Sequence, residues 1–149
     1  ANLDHRDPSS LSYSCLLSPG LRLIMLDSNR YQDQANQDQP TSEGRIKEVS
    51  LDWLEEELKQ VQAKQEKVLL VLHHNGLNHF EAMKGDFAVD NWEDLVDLLD
   101  YYQVPVSFSG HMHAQHIGDF KSDGLQTRHY DLATGFFSLS FIHGSDSSK

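Results

Sequence analysis

The sequence of 149 residues has little positive charge. Its 12 lysines and arginines stand against 23 aspartates and glutamates, which gives a formal net charge of −11. A surface of that sign repels a phosphate backbone, so we expect no nucleic acid partner. An anionic substrate would need a local positive centre, and bound metal ions are the simplest one.

Cysteine and long hydrophobic runs are also scarce. The lone Cys15 excludes an internal disulfide, and because it lies in an apolar run we expect a buried thiol. No apolar run approaches the roughly 20 residues that a transmembrane helix needs, and no signal peptide is recognisable at the amino end. The length suits one domain. Since the chain begins at Ala1 without a methionine, we expect it to start inside a larger protein.

Hydrophobic periodicity predicts the element order of an α/β fold, with an N-terminal hairpin, alternating helices and strands, and a final meander. The predicted strands are 11–17, 21–26, 68–72, 104–108, 115–120, 125–132 and 136–142, with tight turns at 18–20 and 121–124. The predicted helices are 47–64 and about 91–101. Asn91 is the expected N-cap of the second helix.

The first predicted helix is amphipathic. Its apolar positions recur at helical spacing and predict a face turned to the sheet: Val49, Trp53, Leu54, Leu58 and Val61. The glutamates at 55–57 are interpreted as a solvated face.

Histidines come directly after two of the predicted strands. The strand 68–72 leads into His73, and the strand 104–108 is succeeded by Gly110, His111 and His113. Ligands in open α/β sheets gather beyond the carboxyl ends of strands, so these imidazoles can converge on metal ions. We predict that His73, His111 and His113 are metal ligands, against the alternative of ordinary core, surface or capping histidines. Gly110 is expected to allow a sharp turn where a side chain would obstruct the site.

Other polar residues near these strand ends have less direct interpretations. His74 alternates to the opposite side of an extended chain, so it is predicted to support the ligands by hydrogen bonding or to contact substrate. Asn75 and His116 are candidates for the same supporting or substrate-binding roles. Asp27 and Asn29 either line the site or form a turn, and turn chemistry is favoured.

Four segments together resemble the calcineurin-like metallophosphoesterases. Residues 71–75 (VLHHN) and 108–113 (FSGHMH) are similar to the last two sequence blocks of that family. Residues 26–29 (LDSN) and 51–54 (LDWL) resemble bacterial members described as class III cyclic nucleotide phosphodiesterases. The resemblance implies that His73 and His111 hold one metal ion and that His113 holds the other.

The earlier blocks of that family are missing. The sequence contains no Asp-any-His, Gly-Asp-any-any-Asp or Gly-Asn-His-Asp block, while residues 7–13 resemble the family segment that normally comes after the Gly-Asn-His-Asp block. The resemblance therefore implies that residues 1–149 are the carboxyl-terminal half of a catalytic domain. The fold expected is half of an αββα sandwich, namely one mixed sheet with two flanking helices. The amino-terminal ligands would be absent, and no catalytic residue is identified in this chain.

The resemblance implies phosphomonoester or phosphodiester hydrolysis, cyclic nucleotides included, at two divalent Mn, Fe or Zn ions in the full-length protein. The isolated chain, with incomplete metal sites, is expected to be inactive. We expect two partners. One is a small phosphoester. The other is either the amino-terminal half of the domain or a second copy of the chain, which would cover the sheet face that the two helices leave open. The alternatives are a non-catalytic binding or regulatory module with the same fold, and a mononuclear hydrolase with a three-histidine site.

Overall fold

The computed structural model describes residues 5–29, 44–74, 89–110, 116–122 and 125–131. Within these ranges the chain forms seven strands and two helices. The strands are β1 (His5–Arg6), β2 (Tyr13–Ser18), β3 (Leu21–Leu26), β4 (Lys67–Leu72), β5 (Val106–Ser109), β6 (His116–Ser122) and β7 (Leu125–Asp131). The helices are α1 (Glu48–Ala63) and α2 (Trp92–Tyr101). No helix in the described part is long and apolar enough to cross a membrane.

All described strands belong to one mixed sheet, in the order β1-β2-β3-β4-β5-β7-β6. The neighbours from β3 to β7 pair in parallel, while β1 and β2 at one edge and β6 at the other pair antiparallel. With the two helices this is an α/β architecture, and it confirms the predicted mixed sheet with two flanking helices. The predicted hairpins β2-β3 and β6-β7 are both present.

The core lies between one face of the sheet and the two helices. Alternate residues of β3 and β4 are buried on this face and pack in one cluster with α1 and α2: Ile24, Leu26, Val68, Leu70, Leu72, Leu54, Leu58, Leu95 and Leu99. Leu23, Met25, Leu69 and Val71 point to the opposite face and are only half-buried. In the described part of the chain, the two helices therefore pack on one face of the sheet.

The inward face of α1 differs from the prediction at two positions. Val49, expected to face the sheet, is 55% exposed, whereas its neighbour Ser50 is buried. Glu57, assigned to the solvated face, is buried, accepts a hydrogen bond from Ser14 Oγ at 2.6 Å and lies 3.0 Å from His5 Nδ1. The buried residues of α1 are 50, 51, 54, 57, 58 and 61, so residue 49 lies about 80° outside the buried arc and residue 57 lies on it.

Asn91 occupies the N-cap position of α2, but its side chain makes no capping hydrogen bond. It instead accepts the Ile46 backbone N–H at 3.1 Å and donates to the Ile46 carbonyl at 2.8 Å. The predicted N-cap position is therefore confirmed, but the side chain bonds to Ile46 and does not cap the helix. The amide, which can both donate and accept, is used to hold the chain ahead of α1 against the start of α2.

Smaller differences concern the ends of strands. The strand predicted at 104–108 begins at Val106, because Pro105 has no N–H and the Val104 N–H donates to the Leu99 carbonyl at 2.8 Å. β1 is absent from the prediction, since two residues carry no measurable alternation. Cys15 is buried as expected. The strand predicted at 136–142 lies outside the described residues.

Replacing Leu54 by alanine should lower the free energy of unfolding by about 2–5 kcal/mol, because this fully buried side chain joins α1 to the sheet. The matched variant Val49→Ala should change it by no more than about 0.5 kcal/mol, since Val49 is largely exposed. Urea unfolding followed by circular dichroism measures both. Equal losses for the two variants would contradict the orientation of α1.

Candidate metal centre at the strand ends

Three strands end at the same edge of the sheet. Leu26 of β3 pairs with Leu72 of β4, which pairs with Ser109 of β5, all in parallel. The next residues along the chain, Asp27, His73 and Gly110, therefore emerge side by side. The Gly110 N–H donates to the His73 carbonyl at 3.0 Å, which extends the pairing of β4 and β5 beyond their last strand residues.

His73 and His74 have different environments. His73 is exposed at the strand end, whereas His74 is only 3% exposed. Their ring centroids are 4.7 Å apart and the ring planes are perpendicular. The predicted alternation of the two side chains is thus present. An exposed imidazole at this edge is available to solvent, and the buried one beside it lies against the protein interior.

His74 is fixed by Ser28, two residues beyond the end of β3. The Ser28 hydroxyl oxygen accepts the backbone N–H of His74 at 2.9 Å and lies 3.0 Å from Nδ1 of the His74 ring. Ser28 is itself fully buried. One hydroxyl therefore holds both the backbone and the imidazole of His74.

Gly44 lies against His74 closely enough to exclude a side chain. A Cβ atom at this glycine would lie 2.5 Å from Cγ and 2.8 Å from Nδ1 of the His74 ring. Gly44 forms isolated bridges to Asn29 and to Val89. No local sequence pattern identifies this glycine, because its constraint comes from a residue 30 positions away. At Gly110, which the sequence did single out, a Cβ would meet the His73 carbonyl oxygen at an ordinary 3.8 Å.

Asp27 and Asn29 form a turn. One carboxylate oxygen of Asp27 accepts the backbone N–H of Asn29 at 3.1 Å and its side-chain amide at 2.9 Å. The other accepts the Leu11 N–H at 3.2 Å. These hydrogen bonds confirm the turn interpretation, and they place a carboxylate at the same sheet edge as His73.

Comparisons with known proteins identify the family of this chain. The family described as "Calcineurin-like phosphoesterase" matches residues 5–115. The chain belongs to that family. No curated protein matches the sequence.

Two solved structures show the same fold. A dimetal phosphatase from Danio rerio is similar with a TM-score of 0.65 and 18% identity, over 83% of this chain and 49% of that protein. A purple acid phosphatase, PPD1, from yellow lupin (Lupinus luteus) seeds has a TM-score of 0.59 and 16% identity, over 91% of this chain and 25% of that protein. The chain thus spans about half the length of the first relative and a quarter of the second.

Membership of the calcineurin-like phosphoesterase family implies divalent metal ions. The described residues provide part of a site that suits such ions. His73 offers an exposed imidazole, a ligand type that suits Zn, Mn and Fe, next to the backbone of Gly110. His111 and His113 come after Gly110 in the sequence but, like Asn75, lie outside the described residues. Among the residues that the structure describes, no group of three or more His, Cys, Asp or Glu side chains could hold a metal ion.

His116 is the first residue of β6. In the sheet register it pairs with Asp131, which pairs with Ser109 at the end of β5. Its backbone therefore lies at the edge from which His73 emerges, two strand spacings or about 10 Å from β5.

A cavity of about 200 Å³ lies away from this edge. It is formed where α1 and α2 end and β4 and β5 begin, by residues that include Val61, Lys67, Tyr102 and Pro105. Its volume is below the range of about 300–1,000 Å³ that is usual for small-molecule sites. The strand ends that carry the histidines are therefore the better candidate site in this chain.

Asp7 is a buried carboxylate that the sequence analysis did not identify. It accepts hydrogen bonds from the Ser9 N–H at 2.8 Å, from Ser9 Oγ at 2.7 Å, from Ser10 Oγ at 2.6 Å and from Ser50 Oγ at 2.5 Å. Burial by itself raises the pKa of this carboxyl, but the hydrogen bonds from Ser10, Ser50 and Ser9 outweigh it and lower the pKa. The Asp-Pro-Ser-Ser run, typical of side-chain turns, is the signal that could have revealed it.

The ionised Asp7 should make stability depend on pH. Because its pKa is lowered on folding, its contribution is fully present above about pH 4, the ordinary range for aspartate, and is lost as the pH falls through the folded-state pKa. Asp7→Asn should cost about 1–3 kcal/mol near pH 6, and the difference from wild type should shrink below pH 4.

Urea unfolding at several pH values between 6 and 3 measures this effect. Asp52→Asn, at an exposed position of α1, controls for the loss of one negative charge. A difference between wild type and Asp7→Asn that stays constant down to pH 3 would contradict the assignment.

Proposed function

We propose that this chain is the carboxyl-terminal portion of a metal-dependent phosphoesterase, whose other portion supplies the remaining metal ligands. The family match over residues 5–115 carries the proposal, together with the exposure of His73 at a sheet edge where three parallel strands end. The three absent sequence blocks and the half-length coverage of the Danio rerio dimetal phosphatase support a partial domain.

In this proposal His73 and His111 hold one divalent ion and His113 holds the other, with Mn, Fe or Zn as the candidates. Two bound metals would activate a water molecule and stabilise the charge that develops on phosphorus oxygens. His73 is suited to its role because its backbone is fixed through the hydrogen bond from Gly110 to its carbonyl. The net charge of −11 makes such a positive centre necessary for an anionic substrate.

His74, Asn75 and His116 are proposed as residues that support the ligands or contact the substrate. The burial of His74 and its contact with Ser28 favour the supporting role for that residue. His116 begins a strand at the same sheet edge, which is compatible with either role.

The substrate class we propose is a small phosphomonoester or phosphodiester. Cyclic nucleotides are the narrower candidate, because residues 26–29 and 51–54 resemble bacterial class III cyclic nucleotide phosphodiesterases. In the described part of the chain, residues 26–29 form the Asp27 turn at the site edge. Because Leu26 pairs with Leu72, this turn lies beside His73, and we propose that it influences which substrates bind.

A non-catalytic module with a phosphoesterase-like fold is the second candidate. It is favoured by the three family blocks that the sequence lacks. The presence or absence of those blocks in the natural protein separates the two candidates, since only the enzyme requires them. A phosphodiester assay of this chain with added metal tests the third candidate, a mononuclear three-histidine hydrolase, because only that candidate predicts activity.

The isolated chain should retain fewer than two metal ions per molecule after purification, because its ligand set is incomplete. His111→Ala should abolish the binding that remains, whereas His116→Ala should have a much smaller effect. Elemental analysis and calorimetric titration with Zn²⁺ measure these outcomes, with His5→Ala as a control histidine that contacts Glu57 away from the strand ends. Two stoichiometric ions would contradict the partial-site assignment.

The partner of the half-buried sheet face is proposed to be the amino-terminal half of the domain, or a second copy when that half is absent. Leu69 lies on this face, in the strand β4 at the middle of the sheet. The isolated chain should therefore self-associate, and Leu69→Lys should weaken the association through the cost of burying a charge. Sedimentation velocity over a range of concentrations measures it.

Leu11→Lys is the matched control for Leu69→Lys, because Leu11 is 78% exposed in a loop. This variant should leave the association unchanged. A concentration-independent monomer for the unmodified chain would contradict the proposed open face.

A further inference from the structure

We infer that Ser28 and Gly44 are positioning residues for His73, which they hold in a binding orientation through the buried imidazole of His74. The inference rests on the proposed role of His73 as a metal ligand. It adds residues from two other segments of the chain.

The backbone at His73 and His74 is fixed from both sides. On the β3 side, the His74 N–H donates to Ser28 Oγ at 2.9 Å. On the β5 side, the His73 carbonyl accepts the Gly110 N–H at 3.0 Å. Neither residue can move along or out of the sheet without breaking one of these hydrogen bonds, and His74 N–H and Ser28 are buried where water cannot replace them.

The His74 ring is confined as well. Ser28 Oγ lies 3.0 Å from Nδ1, and both tautomers of the ring keep that contact, since a hydroxyl can donate or accept. Gly44 blocks another side, because even one added carbon there would lie 2.5 Å from Cγ. Gly44 is in turn held by two hydrogen bonds of its segment, from the Arg45 N–H to the Ser28 carbonyl at 3.0 Å and from the Asp90 N–H to the Gly44 carbonyl at 2.8 Å.

The confined ring is in contact with the exposed one. The His74 ring meets His73 edge to face, with centroids 4.7 Å apart. A rigid neighbour at that distance restricts the rotamers that the His73 side chain can adopt, so less conformational entropy is lost when a ligand bond forms. Groups that orient metal ligands in this way typically affect metal affinity by about 10–100-fold.

The test uses the full 149-residue chain and the variants Ser28→Ala, Ser28→Thr and Gly44→Ala. Ser14→Ala is the matched control, because Ser14 is also a fully buried serine but its hydroxyl contacts Glu57 and Arg22. Far-ultraviolet circular dichroism checks that each variant is folded. Gly44→Ala perturbs the His74 ring from another side, so the test does not depend on one variant.

Two readouts are taken. In the metal-free chain, NMR couplings of the His73 side chain should indicate one dominant χ1 rotamer. The couplings should show averaging over several rotamers in Ser28→Ala and Gly44→Ala. The single rotamer should be retained in Ser28→Thr and in the control Ser14→Ala. In calorimetric titrations with Zn²⁺, Ser28→Ala should weaken binding about 10–100-fold, and Ser14→Ala should stay within about threefold of wild type.

The two hypotheses fail in different ways. If His73→Ala leaves the Zn²⁺ affinity unchanged while Ser28→Ala still releases the His73 rotamer, the metal assignment fails and the positioning of His73 stands. If His73→Ala weakens Zn²⁺ binding but Ser28→Ala behaves like Ser14→Ala in both readouts, the positioning role of Ser28 is overturned.

Discussion

The structure depends on the parallel, in-register pairing of β3, β4 and β5. Because Leu26, Leu72 and Ser109 are paired across the sheet, the residues after them reach the same edge together. Backbone hydrogen bonding thereby decides which side chains can meet, whatever their chemical type. His73 lies next to Gly110 for this reason, although the two are 37 positions apart in the sequence.

Around this edge, buried polar groups hold the connecting segments in place. Ser28 accepts a hydrogen bond from the backbone of His74, and Asn91 exchanges two hydrogen bonds with the backbone of Ile46. Asp7 accepts hydrogen bonds from the serine hydroxyls of its own turn and from Ser50 of α1. Each of these groups would be costly to bury without partners, so each contact specifies one arrangement of its loop. The edge that carries His73 is thus supported by segments from before β2 to the start of α2.

Hydrophobic periodicity predicts the secondary structure well where residues close in the sequence determine it. The predicted strand 21–26 has the observed ends, and the first predicted helix agrees to within one residue at each end, because alternation and helical spacing are repeated over several residues. The pattern fails at single polar positions. Glu57 of α1 is buried against Ser14 of β2 and His5 of β1, which both contact its carboxylate. The Asn91 side chain bonds to the backbone of Ile46 and therefore does not cap α2.

The sequence by itself determined the α/β order of elements, the two amphipathic helices, the histidines at strand ends and the resemblance that the family match confirms. These depend on periodicity and on short blocks, which are local. Only the tertiary structure decided that His73 is exposed while His74 is buried against Ser28 and Gly44. Those contacts join residues 28, 44 and 74, and no local spacing encodes them, because they form only when β3 pairs with β4 and Gly44 packs against His74.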